Sequence, residues 1–163
     1  MVSAVKGLYR LAGYTYFKSV GDSVEPTARL IAEAETELVV LAGELCPAVW
    51  NHPKIREALT AVATRPNPPR IEIMFGPADR ADRDALSFLK SLAREGKVVL
   101  HETDRREQGH FMVADGLNVK VEDPHKPNAD IRTGYVSCGA ATLAKRLRTR
   151  FQLTKQMATP VVA

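Results

Sequence analysis

Gln108-Gly-His-Phe-Met-Val-Ala-Asp115-Gly116 is the stretch on which the fold turns. Four consecutive apolar residues, Phe111 to Ala114, read as a short strand covered on both faces. Asp115-Gly116 then supplies a pair that tolerates positive φ, so the chain turns back as a hairpin into a second strand, Asn118 to Glu122. A polar loop from Asp123 to Asp130, with two prolines, separates that hairpin from a further strand at Ile131 to Ser137.

Upstream, apolar strands alternate with amphipathic helices. Asp22 or Ser23 caps a helix that has Pro26 in its first turn and runs to about residue 36. Glu37-Leu-Val-Val-Leu-Ala42 is a buried strand, 43–53 a loop, and Lys54 to Thr64 a helix with Ile55, Ala58, Leu59 and Val62 on one face. Arg70 to Phe75 is a strand, Arg83 to Glu95 a helix stopped by Gly96, and Lys97 to His101 a strand. A last helix runs from Gly139 to about Gln156, with Leu143, Leu147 and Phe151 as its core stripe. Helices and strands in this order predict an α/β domain with a mixed β-sheet flanked by helices.

The 163 residues suit one domain with a sizeable core. Hydrophobic residues at 45% and charged residues at 26% exclude collagen-like, low-complexity and largely disordered chains. Cys46 and Cys138 match no metal spacing and are too few for a disulfide scaffold, which points to reduced thiols and a cytoplasmic chain. No run of eighteen apolar residues occurs, and Tyr9, Arg10, Tyr14, Tyr16 and Lys18 interrupt the N-terminus, so neither a membrane span nor a signal peptide is expected. Residues 1–20 read as an aromatic extension that packs on the body or on a neighbouring subunit, 21–157 as the domain, and 158–163 as a tail.

With these elements in place, the chain resembles one half of the phospholipase D superfamily, whose signature HxKxxxxD lies on a strand followed by Gly. The apolar core Phe111 to Ala114 and the Asp115-Gly116 end match that frame. The resemblance implies that Gln108 stands at the nucleophilic histidine and His110 at the lysine, while Glu122 to His125 stand where the family has Gly-Ser-x-Asn. A glutamine amide offers no nucleophile, so the phosphohistidine route is closed in this frame. Slipping the frame makes His110 the nucleophile, but then Met112 and Leu117 occupy the lysine and aspartate positions. The family completes its site by pairing two halves, which implies a homodimer or a subunit of a larger assembly.

The same topology predicts a ligand pocket at one end of the sheet, formed by Gln108, His110, Asp115, Glu122 and His125, with Trp50 from the first loop. Trp50 either caps that pocket, stacks on a base, or seals a helix against the sheet. His110, His125 and Glu122 are the candidates for acid-base or nucleophilic chemistry. No cofactor and no metal are expected, and Asp115 reads most simply as a turn residue holding backbone amides.

Charge is concentrated in the last helix. Residues 139–163 carry Lys145, Arg146, Arg148, Arg150 and Lys155 and no acid; those five taken from 23 leave 18 basic residues against 19 acidic in the rest. They form either an ordinary surface helix whose cations suit its dipole, or a strip that contacts DNA or RNA phosphates. The sequence thus points to a catalytically degenerate phospholipase D-like domain acting as a binding or assembly module. The alternative is a phosphodiesterase or nuclease rebuilt around His110, Glu122 and His125.

Overall fold

The computed structural model describes residues 9–11, 13–104, 109–125 and 131–161. The elements, in chain order, are β1 (Tyr9–Leu11), β2 (Tyr14–Phe17), α1 (Val20–Glu33), β3 (Glu37–Leu41), α2 (Pro47–Trp50), α3 (Pro53–Ala63) and β4 (Arg70–Phe75). There follow α4 (Arg83–Arg94), β5 (Val99–Glu102), β6 (Phe111–Ala114), β7 (Asn118–Glu122), β8 (Gly134–Ser137), α5 (Ala141–Lys155) and β9 (Thr159–Pro160). The expected α/β architecture with a mixed sheet is what the chain adopts.

The strands form one nine-stranded sheet in the order β1-β2-β8-β7-β6-β3-β4-β5-β9. Strands β3, β4 and β5 are parallel, whereas β6, β7, β8 and β2 are antiparallel, each to its neighbour. Val39, Leu41, Phe111 and Val113 point to one face, where they meet Ala144 and Phe151 of α5. Val40, Ala42, Met112 and Ala114 point to the other, beneath α1, α3 and α4. Both faces of the central strands are therefore covered, which explains their nearly continuous apolar runs.

Local signals place most boundaries. The Asp82 side chain accepts from Ala85 N–H at 3.0 Å and starts α4. Gly96 ends that helix at φ +70°, with Lys97 N–H returned to the Leu92 carbonyl at 2.9 Å. Asp115 and Gly116 have φ of 56° and 64°, and Leu117 N–H donates to Ala114 at 3.1 Å, the tight turn that sets the β6–β7 register.

Two expectations need correction. The cap of α1 is Ser19, accepting from Asp22 N–H at 3.1 Å, three positions ahead of the first residue expected to cap it. Residues 43–53 are not wholly loop, because Pro47 opens the short helix α2. The N-terminal strands join the sheet: β2 pairs along β8, Tyr14 with Ser137 through Phe17 with Gly134, and β1 pairs with β2. Gly134 makes that join: a Cβ there would lie 2.3 Å from the Val121 carbonyl and 2.5 Å from the Phe17 ring. The C-terminal residues likewise add β9 to the edge of β5.

Candidate anion-binding site

His110 precedes β6, Glu122 ends β7, and Arg132 precedes β8; antiparallel pairing brings all three to one end of the sheet. The join is tight, since Glu122 N–H donates to the His110 carbonyl at 2.9 Å. This is also the end at which the parallel strands β3, β4 and β5 finish, the edge where open α/β sheets bind ligands. Alternation puts His110, Lys120, Glu122 and Arg132 on the α1 face, because Lys120 pairs with Met112 and Val136.

Glu122 is the hub. It is 5% exposed, and its Oε1 accepts from Lys120 Nζ at 2.5 Å. Its Oε2 faces His125 Nε2 at 3.2 Å, His110 Nδ1 at 3.4 Å and Arg132 Nη1 at 3.7 Å. Burial works to raise its carboxyl, but the Lys120 charge and contacts from both histidines and Lys120 hold it far below the ordinary range. Glu122 is ionised throughout the neutral range.

Lys120 Nζ also lies over the Phe17 ring, 5.5 Å from its centroid. The His110 and His125 rings meet edge to face, centroids 4.8 Å apart. Gly43, just past β3, makes room for His110: a Cβ at that position would lie 2.1 Å from His110 Nε2. A cavity of about 20 Å³ adjoins, lined by Cys46, Trp50, His110, Lys120, Glu122 and Arg132 among others, with room for one or two waters.

One carboxylate, Glu122, thus gathers Lys120, Arg132 and both imidazoles at the edge of the cavity. His110, Glu122 and His125 also present metal-ligand atoms within 4.8 Å of one another, but Lys120 and Arg132 on the same carboxylate compete with any cation there.

Of the expected pocket residues, His110, Glu122, His125 and Trp50 come together, and Gln108 lies outside the described residues. Trp50 is 5% exposed, belongs to the same core cluster as Ile55 and Leu59 of α3, and lines the cavity. Asp115 is not part of the pocket: it closes β6 at the opposite end of the strand. Its carboxylate accepts from Glu35, Thr36 and Glu37 N–H at 2.7–3.1 Å. Burial opposes its ionisation, yet those backbone donors hold its carboxyl below the usual range.

The basic strip is also divided. Arg148 Nε pairs with Glu37 at 2.8 Å and Lys155 Nζ with Glu72 at 2.6 Å, on one flank of α5. Arg146 and Arg150 lie on the other flank, with the Arg150 guanidinium 5.6 Å from the Phe111 ring centroid, and Lys145 is exposed between the two. All of α5 lies on the face away from the pocket.

Lys120, Arg132 and Gly43 were not singled out from sequence. The available signal was a pair of charges, Lys120 and Glu122, within a strand whose two faces are both covered.

A model for a domain of unknown function, DUF7931, matches residues 20–162. The chain belongs to the DUF7931 family. No curated protein matches it in sequence. In structure, this DUF7931 chain is similar to Nuc, a phospholipase D family member from Salmonella typhimurium, at 14% identity and TM-score 0.72, over 92% of this chain and 99% of that one. It is similar to NucT from Helicobacter pylori at 10% identity and TM-score 0.70, over 91% and 98%. It is also similar to TrmBL2, an archaeal chromatin protein described with a novel mode of DNA binding, at 14% identity and TM-score 0.68, covering 96% of this chain but 57% of that one. The DUF7931 domain thus has the phospholipase D-like fold, as its sequence resemblance implied. No helix among the described residues is long and apolar enough to cross a membrane.

Proposed function

We propose that this domain is a phosphate-binding module that takes a phosphodiester of a nucleic acid at the His110, Lys120, Glu122, His125 and Arg132 pocket without hydrolysing it. The observation that carries the proposal is the convergence of Lys120, Arg132 and two imidazoles on buried Glu122, beside a cavity at the ligand-binding edge of the sheet. Glu122 fixes the cations and imidazoles, and the phosphoryl oxygens accept from Lys120 Nζ. Lys145, Arg146 and Arg150 add backbone contacts outside the pocket. Gln108 at the nucleophile position is the reason for placing binding ahead of hydrolysis. The DNA binding described for TrmBL2 supports the same reading.

One observation favours a second reading. His110 directs Nδ1 to the Glu122 carboxylate and so leaves Nε2 as the basic nitrogen, the orientation a phosphodiesterase base or nucleophile requires. Pairing of two copies, or inclusion in a larger assembly, belongs to the first reading, and free thiols at Cys46 and Cys138 fit a reducing, cytoplasmic setting.

Fluorescence anisotropy with a labelled oligonucleotide tests the proposal. Affinity should fall steeply as salt rises, and Lys120→Met should weaken binding while the oligonucleotide stays intact. Salt-independent affinity, or cleavage abolished by His110→Ala, would overturn it. Sedimentation at high concentration tests the pairing, and a monomer throughout contradicts it.

A further inference from the structure

Helix α5 packs on β3, β6 and β7, and on the same face of the sheet the rings of Tyr14, Tyr16 and Tyr135 gather on β2 and β8. Tyr14 and Tyr16 are 38% and 39% exposed, unusual for adjacent aromatic residues on one strand face. Their rings stack at 6.2 Å, and Tyr135 lies 5.6 and 5.9 Å from them. Tyrosines held by one another in this way form a rigid apolar surface with polar rims.

Register ties this surface to the basic helix. Phe111 pairs with Val121, Val121 with Tyr135 and Tyr135 with Tyr16, so these residues make one row across four adjacent strands. The Arg150 guanidinium lies over Phe111 at one end of that row. Two strand intervals of about 4.8 Å separate Phe111 from Tyr135 and three separate it from Tyr16, so the platform spans about 10–14 Å from the cation along the row. Asp123 stands beside Tyr135, its carboxylate taken by the Thr133 hydroxyl at 2.5 Å.

We propose that Tyr14, Tyr16 and Tyr135 form a platform on which bases of a single-stranded nucleic acid stack, with the strand's backbone directed toward Arg150 and Arg146. The inference rests on the nucleic-acid reading above and names its strand form. The charge of the neighbouring helix selects the occupant: Arg148 and Lys155 are paired with Glu37 and Glu72, but Lys145 and Arg146 are exposed and residues 139–163 contain no acid, which suits a polyanion. Aromatic side chains on adjacent strands of an open sheet face stack about two or three bases, and duplex DNA presents no free base faces to such a surface.

Fluorescein-labelled dT20 and a 20-base-pair duplex, titrated with the full chain at one low salt concentration, test the inference. The single strand should bind more tightly. Tyr16→Ala should weaken it by about 5-fold to 150-fold while leaving duplex affinity unchanged, whereas Tyr16→Phe should stay within about twofold because the ring is kept. On the unaltered chain, a 5-bromodeoxyuridine strand should photo-cross-link to peptides containing Tyr14, Tyr16 or Tyr135, a readout that does not depend on any variant folding. Equal affinity for both strand forms, indifferent to Tyr16→Ala and with cross-links elsewhere, would overturn the platform and leave phosphate binding standing. Binding of neither would overturn both.

Discussion

Replacing Glu122 by Gln removes the charge that holds the pocket together. Lys120 is 3% exposed and Arg132 also 3%, so after the change two buried cations lose the carboxylate they share. Removing one partner of a buried ion pair costs about 3–5 kcal/mol. For a domain of this length each kcal/mol moves the melting midpoint by about 2–4 °C, so Glu122→Gln should lower it by about 6–20 °C in chloride buffer. Phosphate should then restore part of the loss, because the vacated centre binds an anion only in the folded state. The pH profile gives a second reading. A carboxyl whose folded value lies below its unfolded one contributes stability that is full above the ordinary range near 4.5 and declines as pH falls below it. The variant should therefore show a flatter acid limb than the parent. Thermal melts of both proteins across pH 3–8, with and without phosphate, measure all three effects. A midpoint within about 2 °C of the parent at neutral pH, with no differential response to phosphate, would refute the reasoning.

Gly43→Ala places a methyl group 2.1 Å from His110 Nε2 and should displace the imidazole, at an overpacking cost of about 1–3 kcal/mol and with weakened anion affinity; urea melts and phosphate titration check both. Asp115→Ala should destabilise by about 2–4 kcal/mol in urea melts through loss of the hydrogen bonds to 35–37, yet leave anion affinity unchanged because Asp115 lies at the far end of β6. His101, buried beside Glu72 at 2.9 Å, is lowered first by burial and then by the charges of Lys155 and Arg70, so NMR titration should place it below 6.5. Its contribution to stability is full above 6.5 and is lost as pH falls toward its folded value, and His101→Gln should remove that slope.

The α/β order was legible because the central elements carry strong period signals: Glu37 to Ala42 is nearly all apolar, and Arg83 to Arg94 shows a clear helical stripe with Asp82 and Gly96 marking its ends. Strands β1, β2 and β9 were not legible, since two to four residues leave too short a pattern, and β2 and β9 pair with strands far along the chain. The histidines of the site were visible as residue types near the end of a known frame. Lys120 was not, because alternation in Asn118-Val-Lys-Val-Glu122 reads as one buried and one solvent face, whereas β7 lies between β6 and β8 and the pocket occupies its polar side. The basic helix was counted correctly from sequence, but its pairing with Glu37 and Glu72 depends on strands about 83–111 residues away and could only be seen once they were packed.

The most direct test is a ³¹P NMR spectrum of the dinucleotide TpT incubated with the full chain. The account predicts a shifted or broadened diester resonance that returns to its free position in Lys120→Met, with no monoester resonance appearing over hours. An unperturbed diester would contradict binding, and a growing monoester signal abolished by His110→Ala would contradict the non-hydrolytic claim in favour of a phosphodiesterase.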